Sequence, residues 1–314
     1  MDRTILAANG AYQDRSEFAT EAIRDRLAED AAIRGIDLSS TPAPRSMSGA
    51  ISKSTPKSSA STKSVLENPI DLGRWRARTS VSLPATPTDL VNFGLHNRDF
   101  PTLWALDWLA SLTVEGPAPW SSFISRITRE SVGVAQFLRG RDFDQPLDLS
   151  VGTGFPKPGA KVASSTDRFT ASAIGSQKRL DGPMFVLALA AFAEPAHMTI
   201  APTGPALTVL SEMIDRGLGP RLPQPREAFE AWWSFLGAYA PAERRAWHKI
   251  LRIVQESPNR DGLVSRFPEW HGQIASTNVA GFVSRSREWG LMEPDLVDAR
   301  YRLTDLGLAI AKEE

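Results

Sequence analysis

Apolar residues recur at intervals of three and four over most of this chain, the spacing that gathers them on one face of a helix. In Asp14 to Leu27 (DRSEFATEAIRDRL), Phe18, Ala22, Ile23 and Leu27 form such a stripe. Asp99 to Leu112 (DFPTLWALDWLASL) repeats it with Leu103, Trp104, Leu106, Trp108, Leu109 and Leu112, and Pro101 suits a first turn. Trp120 to Leu138 adds Phe123, Ile124, Ile127, Val134 and Phe137, with Gly140 as its stop. Pro183 to Ala193 is apolar nearly throughout and predicts a buried helix. His197 to Gly204 (HMTIAPTG) then predicts a short strand and turn, and Thr203 to Gly217 a further helix. Glu227 to Tyr239 and Pro241 to Glu256 predict two more, with Trp232, Trp233, Phe235, Leu236, Trp247, Ile250, Leu251 and Val254 inward.

The C-terminal pattern is a helix, a hairpin and a helix. Ser276 or Thr277 is placed to cap a helix that buries Val279, Phe282, Val283 and Trp289, and Gly290 supplies a left-handed stop. Leu291 and Met292 begin a short strand, 295–299 turns, and Tyr301 and Leu303 alternate inward between Arg300 and Arg302 on the return. Thr304 and Asp305 cap the closing helix.

Two stretches break the pattern. Ser39 to Ser64 is dominated by Ser, Thr, Pro and Lys, with almost nothing to bury, and reads as a disordered linker. Asp148 to Val162 (DLSVGTGFPKPGAKV) is glycine-rich and invites comparison with a phosphate loop. Ala160 occupies the position where such a loop needs its lysine, and Pro156 and Pro158 remove N–H donors, so the stretch reads as a rigid surface turn. With Pro220, Pro223 and Pro225 marking a further boundary, the expected fold class is mainly α and multi-domain. The expected parts are an N-terminal element over 1–38, a linker over 39–64, a helical middle over 65–225 and a C-terminal domain with a small β-hairpin over 226–314.

In the first of these parts, Asp14 and Glu17 form a capping box, and Glu17 and Glu21 precede Arg24 and Arg26 in the order a helix dipole favours. The RSEF core and EAIRDRL tail resemble the second helix of ribbon-helix-helix DNA-binding proteins of the MetJ, Arc and CopG type. That resemblance implies a homodimer and a DNA phosphate held at the helix start by Arg15 and Ser16. Met1 to Tyr12, with Ile5, Leu6 and Ala8 before Gly10, looks like the tail of the family's first helix and its turn, and the base-reading strand that should precede that helix has no room in this chain. Either the start is placed too late, or the dimer helices are kept without the ribbon.

The C-terminal sequence is similar to a winged helix-turn-helix, with a preceding helix at 241–256. This implies that the outward residues Asn278, Ser284, Arg285 and Arg287 meet double-stranded DNA, with Arg300 and Arg302 on the wing. Arginine suits guanine edges and phosphates through its bidentate fork.

Charge and composition narrow the alternatives. Lys plus Arg and Asp plus Glu number 36 each, so there is no global basic field and any DNA contact must be local. With no cysteine, thiolate catalysis and Cys-ligated zinc are excluded, and His96, His197, His248 and His271 make no metal-binding pair. There is no nucleophile elbow and no distinguishable acid–base pair, so no catalytic residue, cofactor or metal is expected. No apolar run reaches the ~20 residues of a membrane span, and the expected location is the cytoplasm. The function expected is that of a dimeric DNA-binding transcriptional regulator. The alternative is a non-enzymatic assembly subunit of a defence or mobile-element system.

Overall fold

Helix α1, Phe100–Leu112, is buried on nearly every side, because its sequence offers only Asp107 and Ser111 as strongly polar side chains. Elements between residues 120 and 215 pack around it. The structure is a computed structural model and describes residues 68–92, 97–142, 150–157, 162–175, 182–256, 258–267 and 272–313, without the side chains of 272–274. The N-terminal element over 1–38, with Arg15 and Ser16, and the linker over 39–64 lie outside the described residues.

Among the described residues there are ten α-helices and one three-stranded sheet, so the fold is mainly helical. Strand β1 (Ala118–Pro119) runs straight into α2 (Trp120–Arg141). Helix α3 (Val162–Ala173) packs on α1 and α2, and the short α4 (Pro183–Val186) leads into β2 (Ala190–Glu194). Strand β3 (Thr199–Pro202) lies between β1 and β2, antiparallel to both, pairing Ala118 with Ile200 and Ala191 with Ala201. Helix α5 (Gly204–Asp215) packs on α6 (Arg226–Tyr239), and α6 packs on α7 (Pro241–Val254). After α8 (Arg260–Ser265) come α9 (Gly272–Glu288), the 291–303 hairpin and α10 (Asp305–Ala311), which returns to α7. No helix among the described residues is long and apolar enough to cross a membrane.

Several expectations are corrected here. Pro183 to Ala193 is not one helix: it stops at Val186, Ala188 takes a left-handed φ of 54°, and the chain continues as a strand. An apolar run without a polar face carries no period to tell helix from strand, and the pairing of Phe192 with Ile200 decides it. Helix α2 passes through Gly140 to Arg141, and α9 begins at Gly272, ahead of the Ser276 or Thr277 cap. The glycine-rich stretch is not a surface turn where it is described. Val151–Gly154 forms a 3₁₀ turn, and Phe155 is buried, stacked on Phe169 with centroids 5.5 Å apart and edge-on to Trp104. The expected boundary at 225 divides no cores either, because one apolar cluster runs from Ile70 to Ala311.

Residues 68–78 form successive turns, and 79–92 run without helix along this core. Val81 N–H donates to the Thr113 carbonyl, Leu83 to Pro202 and Thr88 to Tyr239. Gly73, at a φ of 88°, donates its N–H to the Asp107 carboxylate at 2.7 Å. Burial pushes the Asp107 carboxyl up from 3.8 to about 6, against the pull of that hydrogen bond and of Arg74. A raised carboxyl binds its proton more tightly when folded, so Asp107 lowers stability as pH rises from about 4 to about 6. Asp107→Asn keeps an acceptor for Gly73 and removes the buried charge. The expected result in urea titrations at pH 4.5 and 7, both values chosen to bracket this window, is a smaller loss of stability on raising the pH than in the wild type. An equal loss would show Asp107 to be ionised throughout.

Candidate nucleic-acid interface

The sequence of α7, PAERRAWHKILRIV, divides sharply into two faces. Ala242, Glu243, Trp247, Ile250, Leu251 and Val254 are buried, whereas Arg245, Lys249 and Arg252, spaced four and three residues apart, are exposed. These three cations line an open groove of about 670 Å³ with His248, Ile253, Gln255, Glu256 and Arg266. Arg266 is held by Glu256 at 2.8 Å, Arg245 lies 3.5 Å from Asp89, and Lys249 sits over the Phe267 ring at 4.7 Å. A second groove of about 290 Å³ shares Ile253, Glu256 and Arg266 with the first and extends past Asn259 to Arg300. A band of cationic side chains thus runs along α7 to the hairpin.

Helix α9, expected to face DNA, is packed inward. Arg285 is 1% exposed and Asn278 3%, so neither is an outward residue, and the orientation expected for them is corrected. The reason is a buried ionic cluster. Arg285 Nε donates to Asp99 Oδ1 at 2.8 Å, its Nη1 donates to Glu243 Oε1, and its guanidinium lies over Trp247 at 4.4 Å. The indole N–H groups of Trp232 and Trp289 donate to Asp99 Oδ2 at 3.2 and 2.7 Å, and Trp247 donates to Ser286 Oγ at 2.7 Å. Glu288 takes the place of a side-chain cap for α1: its carboxyl oxygens accept from Asp99 N–H at 2.5 Å and Phe100 N–H at 2.9 Å. Burial pushes the Glu288 carboxyl up to about 8; the Asp99 charge adds to this and Arg98 opposes it.

The remaining expected contacts divide. Ser284 and Arg287 are half-buried, and Arg287 Nε donates to the Glu293 carbonyl at 3.3 Å. Arg300 is exposed and lines the second groove, whereas Arg302 lies 3.8 Å from Asp298. The hairpin also carries Glu293, Asp295 and Asp298, so its tip is anionic. Among the described residues no three His, Asp or Glu side chains come together as a metal site. Comparison with known protein families, with characterised proteins and with solved structures gives no match to this chain.

The α7 stripe was present in the sequence. Arg245, Lys249 and Arg252 lie opposite Trp247, Ile250, Leu251 and Val254 on one helical wheel, so the apolar face implies the cationic one. What the sequence lacks is any sign that Arg285 is paired inside, because Asp99 is 186 residues away.

Proposed function

We propose that this chain is a DNA-binding regulator of transcription that holds the phosphate backbone of double-stranded DNA in the α7 groove. The observation that carries the reading is the gathering of Arg245, Lys249, Arg252 and Arg266 around one groove in a chain whose net charge is zero. Lysine and arginine heads at a helix surface suit phosphate oxygens, whereas the side chains exposed or half-exposed along the middle of α9, Ser276, Thr277, Ala280 and Ser284, are short. The order α7, α8, α9 and hairpin agrees with a winged-helix arrangement in which the first helix meets the backbone. Homodimerisation through the N-terminal helices and a phosphate contact at Arg15 and Ser16 belong to the same reading, as does the absence of catalysis.

Fluorescence anisotropy with random duplex at several salt concentrations tests this. Neutralising about three phosphates gives a slope near −3 for the logarithm of affinity against that of salt. The Arg245→Glu/Lys249→Glu/Arg252→Glu variant changes only exposed side chains, so it should fold normally while losing at least about tenfold in affinity and most of that slope. Unchanged binding by the triple variant would remove the groove from the reading.

A further inference from the structure

The α7 groove has cationic walls at Arg245, Lys249 and Arg252 and an aliphatic side chain in its lining at Ile253. A protein segment that fits it carries carboxylates around one or two aliphatic residues. This chain presents such a segment. In the hairpin loop 293–299, Leu296 is 45% and Val297 37% exposed, and Glu293, Asp295 and Asp298 surround them with no cation among them. The loop is closed by reciprocal N–H to carbonyl bonds between Val297 and Arg300, at 3.1 and 3.0 Å, around a two-residue turn. Arg300 lines the groove that continues the α7 groove, which places loop and groove on adjoining parts of one face.

The geometry points to a second copy of this chain as the occupant, the 293–299 loop of each copy entering the α7 groove of the other. A two-fold axis satisfies both contacts at once when donor and acceptor lie side by side, and it closes the assembly at two copies. Leu296 and Val297 then leave water against Ile253, and Asp295 and Asp298 meet the arginine and lysine heads. The pairing stands on these surfaces alone. Its consequence, that pairing shuts DNA out of the groove, rests on the function proposed above.

Because the chain has no cysteine, single cysteines report this contact without background. Full-length Val297→Cys and Gln255→Cys proteins are purified separately, mixed in equal amounts and oxidised mildly, and the products are identified by mass spectrometry. The expected major product is the mixed disulfide between the two variants, in excess of either homodimer and reduced at high salt. Adding Asp295→Lys/Asp298→Lys to the first variant should abolish it, and adding Lys249→Glu/Arg252→Glu to the second should restore it. A mixed product no more abundant than the homodimers overturns the pairing, as does a yield indifferent to the charge reversals. Random duplex DNA separates this inference from the one beneath it. Mixed disulfide that duplex DNA does not suppress upholds the pairing and counts against DNA in the groove. Duplex binding that depends on α7 cations, without mixed disulfide, does the reverse.

Discussion

Arg285→Ala should cost roughly 3–5 kcal/mol, because removing the one cation between two buried carboxylates leaves both uncompensated. For a folded unit of this size that corresponds to a fall in melting temperature of about 10 °C. Asp99 and Glu243, the two partners, are both almost fully buried, so water cannot readily replace the guanidinium. The change also removes the face of Arg285 stacked over Trp247 and Phe282. Urea unfolding followed by tryptophan fluorescence measures it, since Trp232, Trp247 and Trp289 surround the cluster. Combining Arg285→Met with Asp99→Asn and Glu243→Gln should recover part of the loss, because no charge is then left unpaired. A loss below about 1 kcal/mol for Arg285→Ala would mean that water reaches the cluster.

The same residue shows where sequence reading stops. Helix positions were legible because Leu103, Trp104, Leu106 and Leu109, or Trp247, Ile250, Leu251 and Val254, repeat at helical spacing, and burial follows directly from that spacing. The turn at Gly290, with φ at 65°, and the cap at Thr304, whose hydroxyl accepts from Gly307 N–H at 3.1 Å, are equally local. Gly307 itself is required by something not local: a Cβ there would lie 1.9 Å from the Leu291 carbonyl. Arg285 belongs with Gly307. An arginine between two serines on a helix reads as exposed, and only the pairing of α9 with the start of α1 and with α7 turns it inward. Ala190–Glu194 differs from its apolar pattern for the converse reason, since a strand is defined by its partner and β3 supplies that partner.

The cluster also sets the response of the fold to pH. Three carboxyl groups, Asp99, Glu243 and Glu288, face the guanidinium groups of Arg285 and Arg98. Arg285 is claimed by Asp99 and Glu243, and the surplus carboxyl, Glu288, has its nearest compensation in the N–H groups of Asp99 and Phe100 and in Arg98. Desolvation pushes Glu288 up from 4.5 to about 8, so between those values the folded chain holds a proton that the unfolded chain releases. Stability is therefore greatest below the unfolded value and is lost as pH rises, by about 1.4 kcal/mol per pH unit while one whole proton is involved. Asp107, at about 6, has given up most of its contribution by pH 6.5, so urea titrations from pH 6.5 to 7.5, taken inside the Glu288 window, report chiefly on Glu288. Wild-type stability should fall across that interval, and Glu288→Gln should flatten the fall. The variant itself starts lower, because a glutamine oxygen accepts one of the two N–H groups and leaves the other facing an amide, a loss of roughly 1–3 kcal/mol. The slope is the diagnostic quantity, since any replacement that merely loosened the packing would lower stability at every pH alike. A wild-type curve that is flat or rising over the interval would show Glu288 ionised in the fold, and α1 would then be held by a buried anion at its N-terminus rather than by a protonated carboxyl.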